Sequence, residues 1–248
     1  MALSYPLATV EYPSADGLPM AESDFQRKPL TYAVEALDIY FQNRPEVYVS
    51  GNMFIYYEEG NPSAVVAPDV FVVIGTAKRE RSSYFLWREP TGPSFVLEIT
   101  SRSTRSQDQG PKRGTYAFLG VQEYFQYDPT RDYLVPPLQG RRLVGDQYAA
   151  LPTLTLADGT LLLHSDVLRL DLRLEGNVLH FYDPTTGQPL LHHREAEQAR
   201  QEAEQARQEA EQAHQEAEQR VSTALAALRA AEARIADLEA RLHLGEQG

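Results

Sequence analysis

The chain has 248 residues, no cysteine and a formal net charge of −12, which arises from 23 basic and 35 acidic side chains. The lack of cysteine excludes a disulfide scaffold, a thiol nucleophile and thiolate zinc sites, and it suits a reducing compartment, so we predict a cytoplasmic protein. We predict neither a signal peptide nor a membrane span, because the first residues lack an apolar core and no apolar run approaches ~18 residues. The excess of acidic residues argues against a protein that coats nucleic acid through its overall charge. It does not argue against a local basic patch.

Composition divides the chain into three parts. Residues 1–29 are polar and rich in turn-forming residues, which predicts an N-terminal arm. Residues 30–190 contain most of the aromatic residues and predict one globular domain, which is long enough to bury a sizeable core. Residues 191–248 repeat with a period of seven and predict a helical tail.

Helical and extended patterns alternate through the predicted domain. A near-helical spacing of apolar residues predicts a helix over 30–44, and Pro45 ends it. Another helix is predicted over 111–119. Runs of β-branched and aromatic residues predict four strands, at 46–60, 65–75, 93–100 and 121–129.

Short apolar runs separated by turn signals fill residues 132–183. They predict further strand pairs, one of them a hairpin turning near residues 157–159 and another turning at residues 175–177. Together with the preceding elements, this order predicts an α/β or α+β layered domain.

The tail has the periodicity of a coiled coil. Alanines alternate at spacings of three and four through residues 196–217, and Val221, Leu228, Ile235 and Leu242 then recur every seven residues. The alanine stripe buries little area, so the C-terminal half should supply most of any association. We expect a homodimer, or a partner bound through this helix; a single solvated helix stabilised by charge pairs is the alternative.

Several common catalytic motifs are absent from the sequence. It contains no Walker loop, no dinucleotide-binding glycine pattern and no serine in a nucleophile elbow. His164 and His180 lie in strand-like runs without a partner motif, which disfavours a histidine metal site. The carboxylates are therefore the better candidates for chemistry.

Two carboxylates interrupt apolar patterns. Asp69 follows Pro68 within the apolar run 65–74, and Glu98 lies inside the strand pattern 95–99. A charged residue within a buried strand is costly unless it is paired or binds a cation. If both residues face one side of the sheet, they form a hard-oxygen site for Mg²⁺ or Mn²⁺, completed by a main-chain carbonyl and waters. If they point outward, they are ordinary surface residues.

Basic residues surround this pair in the sequence. Lys112, on the helix after the Glu98 strand, can reach back to orient a metal-bound water or to neutralise a phosphate; the alternative is a surface position. Segment 78–113 contains eight basic and four acidic residues within an acidic chain. Its candidate phosphate contacts are Arg102, Arg105 and Arg113.

Several sequence blocks resemble a known family in their content, order and spacing. The blocks are YVSGNMFIYY at 48–57, APDV at 67–70, FVLEI at 95–99, Ser101 to Thr104, Asp108, Lys112, Tyr116 and GVQEYF at 120–125. They resemble the Uma-type restriction endonuclease family, a branch of the PD-(D/E)XK nuclease superfamily. The resemblance covers residues 28–190, and the tail lies outside it.

This resemblance implies a restriction-endonuclease-like fold, in which helices flank a mixed central sheet. It implies metal ligation by Asp69 and Glu98 together with the backbone carbonyl of Ile99. The superfamily pattern places a lysine two residues after the glutamate, where this chain has Thr100. The resemblance therefore implies that the catalytic lysine has moved to Lys112, on the following helix.

Two further residues fall on family positions beside this site. Asp108 is expected to support the metal ligands or to cap a helix. Tyr116 lies one turn after Lys112 and either packs over the site or fills the core.

The leading hypothesis is a metal-dependent endonuclease that hydrolyses DNA phosphodiester bonds. Its catalytic residues are Asp69, Glu98 and Lys112, and its cofactor is Mg²⁺ or Mn²⁺. The alternative is a nuclease-fold module that is catalytically weak or inactive and acts as a coiled-coil binding or assembly protein. Under the first hypothesis, a dimeric tail brings two active sites to one duplex.

Overall fold

The computed structural model describes residues 10–14, 24–100 and 110–245. The chain divides into two compact units, Met1–His193 and Arg194–Gly248. The helices are α1 (Asp24–Tyr40), α2 (Pro111–Phe118) and α3 (His193–Gly245), and a 3₁₀ turn spans Leu86–Arg88. The strands are β1 (Val47–Ser50), β2 (Ile55–Tyr56), β3 (Val65–Val66), β4 (Val70–Ile74), β5 (Tyr84–Phe85), β6 (Phe95–Ile99), β7 (Glu123–Tyr127), β8 (Leu138–Val144), β9 (Gln147–Ala150), β10 (Leu154–Thr155), β11 (Leu161–Ser165), β12 (Leu170–Glu175) and β13 (Val178–Tyr182).

A mixed six-stranded sheet forms the centre of the first unit. Its strand order is β1-β4-β6-β7-β8-β9. β6 and β7 are parallel and the other neighbours are antiparallel. Parallel strands need a crossover connection, and α2 lies in the connection between β6 and β7. The predicted mixed central sheet flanked by helices is confirmed.

Each face of the central sheet is covered by different elements. On one face, α1 and the antiparallel sheet β10-β11-β12-β13 pack against β4, β6 and β7 in the larger apolar cluster. On the other face, α2 and the small sheet β3-β2-β5 pack in a second cluster rich in tyrosine. Alternate residues of each central strand enter the two clusters, as the two-residue period of a strand buried on both faces requires.

The first two predicted strands are each broken in the structure. Residues 46–60 give β1 and β2, and residues 65–75 give β3 and β4. The breaks lie beside each other in space, because the amide of Asn52 donates to the carbonyls of Pro68 and Asp69 at 3.0 and 3.2 Å. The prediction of two continuous strands was therefore wrong at the point where the two segments bend together.

The first helix starts earlier than its apolar pattern predicts. It begins at Asp24 and contains Pro29, so residues 24–29 belong to α1 and not to the predicted arm. The prediction started at residue 30 because the apolar spacing begins there, whereas residues 24–29 are mostly polar. Arg27 donates to the Asp24 carboxylate at 2.8 Å on the exposed side of this first part of the helix.

A short piece of the predicted arm packs on the small sheet. The ring of Tyr12 lies 5.1 Å from that of Tyr56, 5.4 Å from Phe85 and 5.5 Å from Trp87. The Tyr56 hydroxyl donates to the carbonyl of Pro13. Residues 10–14 are thus part of the folded unit and not a detached arm.

The second unit is the long helix α3. Its side chains form pairs three or four residues apart, such as Arg207 with Glu204 at 3.0 Å and Arg220 with Glu216 at 3.8 Å. Such pairs stabilise an exposed helix modestly. Val221, Leu225 and Leu228 are 60%, 50% and 56% exposed. Within the described ranges, the chain has no helix with the length and apolar character needed to cross a membrane.

A buried glutamate connects the central sheet to the β10–β13 sheet. Glu123 on β7 is fully buried, and its carboxylate accepts hydrogen bonds from Arg142 at 2.8 Å and from the Ser165 hydroxyl at 2.5 Å. The backbone amides of Asp166 and Val167 donate to it at 3.1 and 3.4 Å. These donors come from β8 and from the end of β11, so one carboxylate joins three segments.

We predict that Glu123→Ala destabilises the first unit by about 3 kcal/mol or more, because it leaves several buried donors without an acceptor. Urea unfolding followed by circular dichroism measures this loss. Glu46→Ala is the matched control, since Glu46 forms an exposed ion pair with Arg44 that contributes little to stability. Equal unfolding midpoints for the two variants would contradict the role given to Glu123.

Candidate functional site

Four polar side chains form a row across the central sheet. β4 and β6 are antiparallel, and Val70 pairs with Leu97. Continuing this register to the residue just before β4 places Asp69 opposite Glu98. Glu98 pairs with Gln126 on β7, and Gln126 pairs with Gln139 on β8. Directly paired residues point to the same face of a sheet. The row therefore lies on the face that α2 covers.

Glu98 is the second residue of this row and is fully buried. It has no exposed surface, and its Oε2 atom accepts a hydrogen bond from the Lys112 Nζ at 2.9 Å. Its Oε1 atom accepts a hydrogen bond from the Tyr116 hydroxyl at 2.5 Å. Lys112 and Tyr116 are four residues apart, so they project from the same side of α2. The structure thus brings the predicted lysine to the predicted glutamate.

Asp69 lies at the edge of the same site. It precedes β4 and is half-buried, so it is not inside a buried strand as the sequence pattern suggested. Its Oδ2 atom accepts a hydrogen bond from the Ile99 amide at 2.7 Å. The N–H and C=O of one residue point to the same side of a strand, so the Ile99 carbonyl is directed towards Asp69 as well. The two carboxylates and this carbonyl converge at the end of β6.

Gly51 allows the chain to approach Asp69 closely. A Cβ atom added to Gly51 would lie 2.3 Å from the Asp69 carbonyl oxygen and 2.9 Å from the Val34 Cγ2 atom. Carbon atoms do not approach a backbone oxygen that closely, so only glycine fits. The sequence reasoning did not single out Gly51, although the Gly51-Asn52 pair inside a strand-like run was a signal of a bend.

Tyr116 both fills the core and contacts the site. It is fully buried in the tyrosine-rich cluster, where its ring lies 5.5 Å from that of Tyr124. Burial first, and then the negative charge of Glu98, raise the pKa of Tyr116 well above its ordinary value. The hydroxyl therefore keeps its proton and donates a hydrogen bond to the carboxylate. Of the two alternatives left open for Tyr116, its ring fills the core, and its hydroxyl also contacts the site through Glu98.

Thr100 occupies the position where the superfamily pattern has a lysine. It is 1% exposed, and among the residues that the structure describes its hydroxyl oxygen has no hydrogen-bond partner. It lies two residues after Glu98 and so points to the same side of the chain. An unsatisfied hydroxyl beside two carboxylates is a polar feature that the packing of the core does not explain.

Most described residues of the basic segment are paired away from this site. Lys78 contacts Asp38 at 3.0 Å, and Arg79 and Arg81 contact Glu89 at 2.5 and 2.9 Å. The guanidinium of Arg88 lies 4.7 Å from the centre of the Phe85 ring. Four of the six basic residues that the structure describes in this segment therefore make structural contacts away from the site.

Arg113 is different, because it is exposed and lines a cleft next to Gln126. The other two predicted phosphate contacts, Arg102 and Arg105, lie outside the described residues. Asp108, the predicted supporting carboxylate, lies outside them too.

The donor set fits a hard divalent cation. Within the described ranges, no three acidic or histidine side chains cluster as metal ligands, so the protein offers two carboxylates and one carbonyl. Mg²⁺ binds through one or two carboxylates and keeps several waters, which suits this sparse set. Each carboxylate oxygen has two lone pairs, so the contacts of Glu98 with Lys112 and Tyr116 leave capacity for a cation.

The mixed sheet, with two carboxylates and a lysine at the end of one strand, agrees with the arrangement that the family resemblance led us to expect. The chain belongs to the Uma2 family, whose model, described as "Putative restriction endonuclease", matches residues 9–175. The predicted resemblance is thus confirmed, and the match includes the Tyr12 segment that the prediction left in the arm.

The solved structures that are similar to part of this chain include that of a nuclease-like protein from a cyanobacterium. It is the crystal structure at 1.96 Å resolution of "a putative nuclease belonging to DUF820 from Anabaena variabilis ATCC 29413", with 14% sequence identity and a TM-score of 0.41. The similarity covers 60% of this chain and 76% of that chain. Comparison with curated proteins gives no match.

We predict that Gly51→Ala displaces Asp69 and lowers the free energy of unfolding by about 1–3 kcal/mol, as overpacking against a rigid neighbour does. Divalent metal binding should weaken at the same time. Gly114→Ala is the control, because a Cβ there meets nothing within 4 Å. Thermal unfolding and Mn²⁺ titration calorimetry measure both effects, and identical behaviour of the two variants would refute the tight contact.

Proposed function

We propose that the chain is a metal-dependent endonuclease that hydrolyses phosphodiester bonds in DNA. The observation that carries this proposal is the convergence of Asp69, the buried Glu98 and Lys112 at one end of β6. Family membership supports the nuclease class, and the chemistry of the donor set supports the metal.

Each residue has a distinct task under this proposal. Asp69, Glu98 and the Ile99 carbonyl hold Mg²⁺ or Mn²⁺, which when bound lowers the pKa of a water ligand and stabilises charge on the phosphate. Lys112, whose side chain is 17% exposed, places its ammonium group 2.9 Å from the buried Glu98 carboxylate. Its ammonium group is placed to stabilise the negative charge that builds on the phosphate when water bonds to phosphorus and an ester bond breaks. Tyr116 keeps the Glu98 carboxylate in place.

A second candidate function is a nuclease-fold module without strong activity that assembles through its tail. One observation favours it: Glu98 already accepts hydrogen bonds from Lys112 and Tyr116, so the buried charge is balanced without a cation. Metal binding separates the two candidates, because a purely structural ion pair does not require a metal.

We predict that Asp69→Asn and Glu98→Gln abolish Mn²⁺ binding in titration calorimetry and reduce metal-dependent DNA cleavage by at least about 100-fold. Lys112→Gln should reduce cleavage by a similar factor but keep metal binding, because it removes the ammonium and not a ligand. Cleavage is measured on single-stranded, duplex and branched DNA in Mg²⁺ and in Mn²⁺.

The control is Asp146→Asn, which removes an exposed carboxylate from the turn between β8 and β9. Wild-type protein that binds no Mn²⁺ would exclude the endonuclease proposal and leave the assembly module. Cleavage that survives in Asp69→Asn and Glu98→Gln would assign the activity to another site or to a contaminant.

We further propose that α3 self-associates. Val221 and Leu228 are seven residues apart, and both are more than half exposed. Exposed apolar residues at this spacing are typical of a coiled-coil seam. A dimer would bring two sites to one duplex. The cytoplasmic location expected from the cysteine-free sequence stays a prediction.

Analytical ultracentrifugation of the full chain tests this association. We expect a species of twice the 27.9 kDa chain mass for the wild type and of a single chain mass for the double variant Val221→Glu/Leu228→Glu. Charges at seam positions oppose pairing, while an exposed helix tolerates them. Gln219→Glu adds charge to the same helix as a control. A monomeric wild type would remove the dimer from the proposal.

A further inference from the structure

A cleft of about 320 Å³ adjoins the candidate site. Gln126 and Gln139, the last two members of the polar row, lie in its lining. Gln126 pairs with Glu98, so the cleft is lined by the strand next to the one that carries the buried carboxylate. The cleft and the carboxylate site are therefore neighbours on the same face of the sheet.

Two arginines give this cleft a positive lining. Arg113 comes from α2, one residue after Lys112, and Arg141 comes from β8. Among the described residues that line the cleft, none is acidic, although the whole chain carries a net charge of −12. Arginines that line a cleft without acidic neighbours in an acidic protein mark a place where a ligand can supply the opposite charge.

Arg141 is distinguished from its neighbour Arg142 by the face it occupies. Arg142 pairs with Glu123 at 2.8 Å and with Asp166 at 2.7 Å on the side of the β10–β13 sheet. Arg141 pairs in register with Tyr124 and so points to the side of the candidate site.

The Arg141 Nε atom is buried and has no hydrogen-bond partner in the described part of the chain. A buried donor without an acceptor is costly.

We propose that this cleft holds a backbone phosphate of one nucleic-acid strand, next to the phosphodiester that reaches Glu98 and Lys112. The inference rests on the proposed function, and it extends the substrate contacts to Arg141. A guanidinium presents several N–H groups in a plane that matches two phosphate oxygens, and phosphate contacts of this kind set the position of a strand.

The remaining lining suits a single strand. The cleft volume is at the lower end of the range of about 300–1,000 Å³ found for ligand pockets, so it accepts a short stretch of one strand and not the width of a duplex. Tyr133 also lines it, and positive grooves with aromatic side chains are typical of single-strand binding. The Gln139 side-chain amide donates to the carbonyls of Val135 and Pro136 at 3.2 and 3.1 Å, so it stabilises the loop that forms one wall of the cleft.

Binding of a short fluorescein-labelled DNA oligonucleotide, measured by fluorescence anisotropy in EDTA, tests this inference in the full chain. We expect Arg113→Gln and Arg141→Gln each to weaken binding about tenfold, as loss of a charge-assisted contact does. The slope of log affinity against log salt concentration should fall by about one for each arginine. Arg27→Gln, on the helix that covers the opposite sheet face, should bind like the wild type.

Because the assay contains no divalent cation, its result does not depend on cleavage. Weakened binding in the two cleft variants supports the inference even if the chain cuts no DNA, and unchanged binding overturns it even if the chain does. A deoxynucleoside monophosphate that binds as tightly as the oligonucleotide also overturns it, because the cleft would then be a mononucleotide site. Arg113 is exposed, so Arg113→Gln keeps the test valid if Arg141→Gln fails to fold.

Discussion

One buried negative charge, the carboxylate of Glu98, links the central sheet to α2. A carboxylate without exposed surface in the middle of a sheet is unfavourable unless donors surround it. Lys112 and Tyr116 supply donors from α2, so the electrostatic requirement of one strand fixes the position of the helix above it. The same requirement leaves a lysine amine beside a pair of carboxylates, which is the arrangement that the proposed hydrolysis needs.

The same sheet buries a second carboxylate, that of Glu123, which is surrounded by a different set of donors. Glu123 on β7 points to the opposite face, where a hydroxyl, an arginine and two backbone amides surround it. Most of these donors are held by main chain or by neighbouring ion pairs, so Glu123 has a fixed structural environment. Glu98 instead accepts hydrogen bonds from two side chains of one helix, Lys112 and Tyr116. The two environments accord with a structural role for Glu123 and with the metal-binding role proposed for Glu98.

The sequence was sufficient to predict structural features that depend on neighbouring residues or on a regular spacing of apolar residues. The layered class, α2 and the hairpin turns were predictable because apolar period, glycine and proline mark them, whereas the mixed sheet was expected only from the family resemblance. Glu98 was predictable too, because a charged residue within an apolar run is costly. The contact of Gly51 with Asp69, the unpaired Nε of Arg141 and the packing of Tyr12 were not predictable, because they join segments that are distant in sequence. The start of α1 was missed because residues 24–29 are mostly polar and largely exposed, so they add nothing to the apolar period that predicts the helix.

The antiparallel register of β4 and β6 has a consequence for how the chain folds. Residues of a strand alternate between faces, so a slip of one residue would turn Asp69 away from Glu98 and towards the apolar cluster beneath α1. Burying an unpaired carboxylate in that cluster would be strongly unfavourable. The charged residues proposed for chemistry therefore also act against mispaired strands, and their removal should make incorrect registers more accessible during folding.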